Sequence, residues 1–360
     1  GPILPTLDGE YCRIHTRDGR IYTGTILSLS PAAHVFDDAR TLERNEQNMM
    51  ILLDQPIKSR QDVLDLGIRH GDMVSFEPHC TVTDNGYLKS RFIDDKGAVA
   101  CIFAMLKYLT EHNLNPKYRT LLAFPRYEEI GHGAKLWDLD RYGADFAYTV
   151  DGDGTGTFSY ETFNAAQARV KIKGVAVHPG TAKNKMINAA MVAVEFAASL
   201  PPAETPSHTE LYEGYYHMTG ITGGVEEAEM TYIIRDHDTA TFEARKEHFR
   251  LLVRQLNERW GRALAALQMH DQYNNMAVPL QNRMHLVNTA LTANEMAGVT
   301  PKIIAARGGT DGSQLSFRGL LTPNLFIGGY NCHGKYEYAV VGSMEKCVQV
   351  ILNIVQLYAE

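Results

Sequence analysis

Phe124-Pro125-Arg126-Tyr127-Glu128-Glu129-Ile130-Gly131-His132-Gly133 sets two adjacent carboxylates on the turn that follows an apolar run, Thr120 to Phe124. The run reads as a strand, and side chains just beyond the carboxyl ends of strands line the ligand crevice of an open α/β sheet. Two neighbouring glutamates in that place can divide labour, one binding a metal ion and the other moving the protons of an attacking water. Glu-Glu pairs are also common on solvated surfaces, so the reading depends on partners elsewhere in the chain.

Upstream, Val99, Ile102, Phe103, Leu106 and Leu109 fall on one face of a helix that runs from Asp95 to near Asn113. Downstream, a strand from Asp145 to Val150 ends in Asp151-Gly152. Strands and helices alternating, with polar residues placed after the strands, are the α/β signature. Residues 1 to about 90 read instead as β-rich. Arg17-Asp18-Gly19 and Asp84-Asn85-Gly86 are hairpin turns, and Ser59 with Asp62 makes a capping box for one short helix that Gly67 stops. This predicts a small barrel-like domain over residues 1–88.

At Asn164 the pattern changes again. Ala168, Val170 and Ile172 alternate with Arg169, Lys171 and Lys173, a half-exposed strand, and a helix Met186 to Leu200 precedes Pro201-Pro202. A strand Met230 to Ile234, a helix from about Phe242 to Leu264 and a strand near Leu267 to Met269 follow. Together they predict an α+β lid over residues 164–275, about 110 residues and within the length range of a domain. The catalytic α/β domain is then residues 89–163 and 276–360, the second part adding a helix 284–297, strands Lys302 to Ala305 and Asn324 to Ile327, and a closing helix 343–358.

A net charge of −7 without a basic cluster argues against a nucleic-acid surface, and the apolar runs are too short or interrupted to span a bilayer. The five cysteines, Cys12, Cys80, Cys101, Cys332 and Cys347, lack Cys-x-x-Cys spacing and read as reduced thiols of a cytoplasmic protein. The opening Gly1-Pro2 carries no signal peptide and reads as a processed or truncated terminus.

A pair of ions needs a bridging carboxylate and at least one terminal ligand each. Asp94-Asp95 opens a helix, Glu129 and Asp151 follow strands, and His333 stands in a glycine-rich loop. Each has a plainer reading: Asp94 or Asp95 as an N-cap, His333 as a structural residue, Asp151-Gly152-Asp153-Gly154 as a calcium loop or a dinucleotide fingerprint. The calcium reading fails because its twelfth position is Thr162. The dinucleotide reading fails because Thr157-Phe158-Ser159-Tyr160 does not open a helix.

The ordered set is more specific. Asp94-Asp95-Lys96-Gly97-Ala98, Glu128-Glu129 with Gly131 and Gly133-Ala134, Tyr148-Thr149-Val150-Asp151-Gly152, Val177-His178-Pro179-Gly180, Ile233-Ile234-Arg235-Asp236, Arg307-Gly308-Gly309-Thr310-Asp311-Gly312 and Gly328-Gly329-Tyr330-Asn331-Cys332-His333 resemble, in this order, the co-catalytic zinc exopeptidases. From about residue 119 to 360 the likeness is to the peptidase T (tripeptide aminopeptidase) family. Residues 1 to about 118, with Leu66-Gly67-Ile68-Arg69-His70-Gly71-Asp72 and Lys89-Ser90-Arg91-Phe92-Ile93, resemble the glutamyl or deblocking aminopeptidases. The two likenesses read as branches of one superfamily joined in one catalytic domain.

The resemblance implies a mixed sheet of the zinc-exopeptidase (phosphorylase/hydrolase-like) type with helices on both faces, a small β-barrel domain and an inserted α+β lid that dimerises. It implies that Asp94 bridges two zinc ions, which cobalt or manganese can replace, that Glu129 and His333 complete one ion and that Asp151 binds the other. Glu128 is then the general base, His178 of the lid stabilises the oxyanion and can serve the partner's site, Asn331 lies at the substrate site, and Arg235 and Arg307 receive a peptide's carboxyl terminus, an Arg fork pairing two-pronged with a carboxylate. Asp95 stays a capping or supporting residue. Both families place their first zinc ligand in a His-x-Asp strand. No such motif precedes Asp94, where His15, His34, His70 and His79 lack it and Gly1 to Gly9 resembles the linker that follows it, so weaker occupancy is expected at the ion held by Asp94 and Asp151.

The activity implied is removal of the amino-terminal residue from short peptides, in particular tripeptides, by a cytoplasmic homodimer or larger homo-oligomer. The alternatives are a catalytically incomplete or engineered chimeric member and an aminopeptidase for longer peptides, in keeping with residues 1–118.

Overall fold

Tyr11–His15 and Ile21–Ser28 pair antiparallel across the Arg17-Asp18-Gly19 turn, where Gly19 takes a φ of 85° that only glycine adopts without strain. In a computed structural model of the chain, residues 6–77, 79–126 and 128–359 are described. The opening residues 1–5, with Gly1-Pro2, and Tyr127 of the Glu-Glu stretch lie outside them. The chain folds as two compact units, residues 1–104 with 327–347 and residues 105–326 with 348–360.

In the first unit, Met49–Leu53 joins Ile21–Ser28 and Met73–Phe76 joins Tyr11–His15, giving a four-stranded antiparallel sheet. Alternation along Tyr11–His15 buries Cys12 and Ile14, which pack with Leu7 and Ile26. The expected barrel is, among the described residues, an open sheet. Its edge strands have 5 and 4 residues, too short for the tilt and stagger that closure requires. The capping box forms as read: Ser59 Oγ accepts from the Asp62 N–H at 3.2 Å and Asp62 Oδ2 accepts from the Ser59 N–H at 2.8 Å, opening the helix Arg60–Asp65.

A second antiparallel sheet of this unit runs Gly329–Tyr330, Tyr338–Val340, Tyr87–Lys89, Thr81–Val82. Tyr338 lies opposite Lys89, so the chain entering the helix Ile93–Glu111 runs beside the chain leaving the His333 loop.

In the second unit, Lys302–Ile303, Thr157–Ser159, Asn324–Phe326 and Thr149–Gly152 form a sheet in that order. Asn324–Phe326 is parallel to Thr149–Gly152 and antiparallel to Thr157–Ser159, so the sheet is mixed. The strand expected over Thr120 to Phe124 does not form: residues 120–125 join no ladder, and Leu121 and Phe124 are exposed. An apolar run becomes a strand only where a neighbour supplies hydrogen-bond partners, and periodicity does not report that neighbour.

Residues 164–273 form a separate antiparallel sheet in the order Tyr215–Gly223, Glu227–Asp236, Asn164–Lys173, Ala265–Tyr273. Tyr215–Gly223 is a strand that the sequence reading does not include. The alternation in Asn164–Lys173 is as expected: Ala166, Ala168, Val170 and Ile172 are buried, while Arg169 and Lys171 face out and pair with Glu229. The helices Ala189–Ser199 and Thr239–Arg259 cover the apolar face with Val192, Phe196, Phe242, Phe249 and Val253. Full burial of each such side chain contributes about 1.5–3 kcal/mol, and Asn188 and Asp238 cap the two helix starts through the Met191 and Thr241 N–H groups.

Candidate active site

Asp94 and His333 stand 239 positions apart in the sequence and meet in the first unit, with Asp94 Oδ2 2.8 Å from His333 Nε2. Two neighbours fix this meeting. Glu337, 5% exposed, accepts the Phe92 N–H through Oε2 and the Asp94 N–H through Oε1, each at 2.7 Å. The His333 loop turns tightly, with Asn331 at φ 56° and His333 at φ 64°, and is closed by Gly334 N–H on Asn331 O at 3.1 Å and Asn331 Nδ2 on Tyr336 O at 3.3 Å.

The donor set fits a divalent ion. Zinc binds imidazole nitrogen and carboxylate oxygen at about 2.0–2.2 Å in tetrahedral geometry, so two atoms on one ion stand roughly 3.3 Å apart. The Asp94 and His333 atoms already lie near that spacing, and Asp94 is only partly exposed.

In the second unit, Glu128 and Glu129 begin a single 3₁₀ turn, Glu128–Ile130, that ends on Gly131 at φ 69°. The following Ala134 N–H donates to Asp311 Oδ1 at 3.1 Å, and Arg318 donates to Ala134 O and Trp137 O. Asp151 is the last residue but one of the strand Thr149–Gly152, and Asn324 on the adjacent strand holds its backbone on both sides. Asn324 Oδ1 accepts the Asp151 N–H and its Nδ2 donates to Asp151 O, both at 3.0 Å.

His178 precedes the short turn Pro179–Thr181 and accepts the Gly180 N–H on Nδ1 at 3.1 Å. A nitrogen that accepts carries no proton, so the neutral ring bears its hydrogen on Nε2. Arg235 is buried, donating to Ala166 O, Ile234 O and Gln272 Oε1 and lying over the Tyr273 ring at 5.3 Å. Arg307 donates to Leu211 O, Glu213 O, Thr209 O and Thr209 Oγ1 at 2.8–3.2 Å and lies over Phe163 and Tyr215. Both guanidinium groups are thus engaged by neutral acceptors of their own unit.

Sequence reasoning missed Glu337, Asn324 and the part played by Asp311. Each acts on backbone remote in the chain, and no local spacing marks such a contact.

Residues 1–192 match the family model of the M42 glutamyl aminopeptidases, and residues 160–264 match that of a peptidase dimerisation domain. Peptidase T of Desulfitobacterium hafniense is 51% identical over 267 residues, covering 74% of this chain and 65% of the relative. Peptidase T of Shouchella clausii is 44% identical over 289 residues, covering 80% and 71%. The chain therefore spans 65% of the length of the first of these relatives. The crystal structure of aminopeptidase PepT from Bacillus cereus matches with a TM-score of 0.66 at 22% identity, covering 79% of this chain and 77% of that one, a likeness of fold.

Proposed function

The chain belongs to the peptidase T family, with the M42 glutamyl aminopeptidase pattern over its residues 1–192, and from that premise we propose that it is a zinc-dependent aminopeptidase that removes the amino-terminal residue of short peptides, tripeptides above all. Asp94, Glu129, Asp151 and His333 would hold the metal. A bound divalent ion supplies polarisation of the scissile carbonyl and activation of water near neutral pH. Glu128 takes the proton of the attacking water and passes it to the leaving amine. His178, with its hydrogen on Nε2, donates toward the developing oxyanion, where one such donor lowers the barrier by roughly 3–4 kcal/mol. Arg235 and Arg307 read the carboxyl terminus of a short peptide, and Asn331 lies beside the substrate.

The observation that carries this reading is the Asp94–His333 pair, a carboxylate and an imidazole 2.8 Å apart with Glu337 fixing the backbone of Asp94. The match of residues 160–264 to a dimerisation domain supports a homodimer. No helix among the described residues is long and apolar enough to cross a membrane, in keeping with a cytoplasmic enzyme.

The test is hydrolysis of free and carboxyl-amidated tripeptides with added zinc, cobalt or manganese, beside Glu128→Gln. Turnover of the free tripeptide that Glu128→Gln lowers about 10²–10⁴-fold is expected. No turnover with any of the three metals would overturn the activity, and equal turnover of the amidated substrate would overturn the role of the arginines. Preference for long peptides would favour the second reading, which rests on the match of residues 1–192.

A further inference from the structure

Asp311 stands at the first helical position of Asp311–Phe317, yet its carboxylate faces another segment of the second unit. It is 4% exposed. Its Oδ1 accepts the Ala134 N–H at 3.1 Å, and its Oδ2 has no hydrogen-bond partner among the described residues. A buried carboxylate with an unpartnered oxygen is costly, and burial pushes the carboxyl of Asp311 up from its ordinary range. The cap of this helix is made elsewhere, by Thr310 accepting the Ser313 N–H, so capping does not account for the acid.

What the acid touches is the start of the next 3₁₀ turn, Ala134–Leu136, whose N-cap Gly133 packs against the Glu128 backbone. A methyl group on Gly133 would come 2.7 Å from Asp311 Oδ2, 3.2 Å from Arg126 O and 3.2 Å from Glu128 Cα. Gly133 is therefore bare because the carboxylate and the backbone of Glu128 close on it from two sides. Seven residues further on, Arg318 at the end of the same helix donates to Ala134 O and Trp137 O. Ala134 thus has its N–H held by Asp311 and its C=O held by Arg318.

We propose that Asp311 is a positioning residue for the reaction: through Ala134 and the bare Gly133 it locks the turn that carries Glu128 and Glu129, and so sets where the general base and its neighbouring ligand point. The inference rests on the function proposed above for Glu128 and Glu129. A displacement of a catalytic group by about 1 Å costs on the order of 10²-fold in rate, so a lock of this kind acts on kcat more than on binding.

The experiment compares Asp311→Ala, Asp311→Asn and Gly133→Ala in the full chain. Asp311→Ala is expected to lower kcat about 10–100-fold with KM nearly unchanged, and Asp311→Asn, which keeps an acceptor for the Ala134 N–H, to recover most of the loss. Gly133→Ala pushes on the same turn from the other side, so its kcat loss and that of Asp311→Ala should combine less than multiplicatively in the double variant. Hydrogen exchange on the metal-free protein gives a readout independent of activity: the Ala134 amide exchanges faster in Asp311→Ala and slowly in Asp311→Asn.

A kcat within twofold of wild type for Asp311→Ala, or an Ala134 amide whose exchange is unchanged, overturns the proposal. A purely structural role would lower the folded fraction of both Asp311 variants alike and leave kcat per folded molecule intact, which also overturns it. If Asp311→Ala cannot be recovered folded, Gly133→Ala decides by the same two measurements. If the unaltered chain hydrolyses nothing, the proposed function fails while the amide exchange still decides whether Asp311 holds the turn.

Discussion

Glu337 Oε1 accepts the backbone N–H of Asp94 at 2.7 Å across 243 positions of the chain, and its Oε2 accepts the N–H of Phe92 at the same distance. One buried carboxylate thereby fixes the segment from which the Asp94 side chain reaches His333. Groups that orient metal ligands typically contribute 10–100-fold to metal affinity or activity. Glu337→Ala should therefore weaken zinc binding by about that factor. Glu337→Gln keeps one acceptor oxygen and loses less. Competition of each variant against a chelating dye measures the effect, and equal affinity in Glu337→Ala and wild type would show that Asp94 needs no such support.

What was legible in the sequence was local. Ser59 and Asp62 cap each other within one turn, and Asp18-Gly19 closes a hairpin over a few residues. The helix Ile93–Glu111 also forms, but it buries Ala98, Cys101 and Met105 and leaves Phe103 and Leu106 of the expected face exposed, because which face is covered depends on what packs against it. The ordered motifs also identified Asp94 and His333, which the fold of the first unit brings together. What was not legible depends on a distant partner. Thr120 to Phe124 has the composition of a strand but no neighbour in a ladder, and Tyr215–Gly223 is a strand because Glu227–Asp236 lies beside it. Glu337, Asn324 and Asp311 hold backbone N–H groups 173 to 245 positions away, and nothing near them in the chain announces it.

His237 is buried between Phe163 and Tyr212, and its Nδ1 lies 3.2 Å from Thr162 O. Burial lowers its pKa below the ordinary 6.5, and Arg307 lowers it further, against the opposing Thr162 carbonyl, Glu161 and Asp236. The unfolded chain therefore binds the proton more readily than the folded one, so stability is complete above about pH 6.5 and is lost as the pH falls below it. One proton contributes a slope of at most about 1.4 kcal/mol per pH unit. Asp311, whose carboxyl is raised, acts with the opposite sign and nearer its own ordinary 3.8. Urea denaturation of wild type and His237→Phe between pH 5 and 8 should show the slope below about 6.5 diminished in the variant, and identical slopes would sink the assignment.

Phe249 sits at the centre of the apolar face of Thr239–Arg259, fully buried against Phe196 at 5.1 Å and Tyr232 at 5.2 Å between ring centres. Truncating such a ring costs about 3–5 kcal/mol. Phe249→Ala should lower the unfolding free energy by that amount. Leu251→Ala on the same helix, where Leu251 is exposed, should stay within about 0.5 kcal/mol. Chemical denaturation of both variants checks the contrast, and similar losses would mean that this face does not carry the core.

Arg307 holds the segment 209–213 by four hydrogen bonds, to Leu211 O, Glu213 O, Thr209 O and Thr209 Oγ1. The side chains of Leu211 and Tyr212 on that segment are exposed, which makes it a natural point of attack for chymotrypsin once its backbone can open. A hydrogen bond from a charged donor contributes about 1.5–3 kcal/mol, so losing even one favours local opening roughly tenfold or more. Arg307→Ala should accordingly be cut within 209–213 at least about tenfold faster than wild type, with the rest of the chain cut at the wild-type rate. Limited proteolysis read by mass spectrometry follows both rates. Cleavage at the wild-type rate in this segment would mean that the four bonds do not hold it.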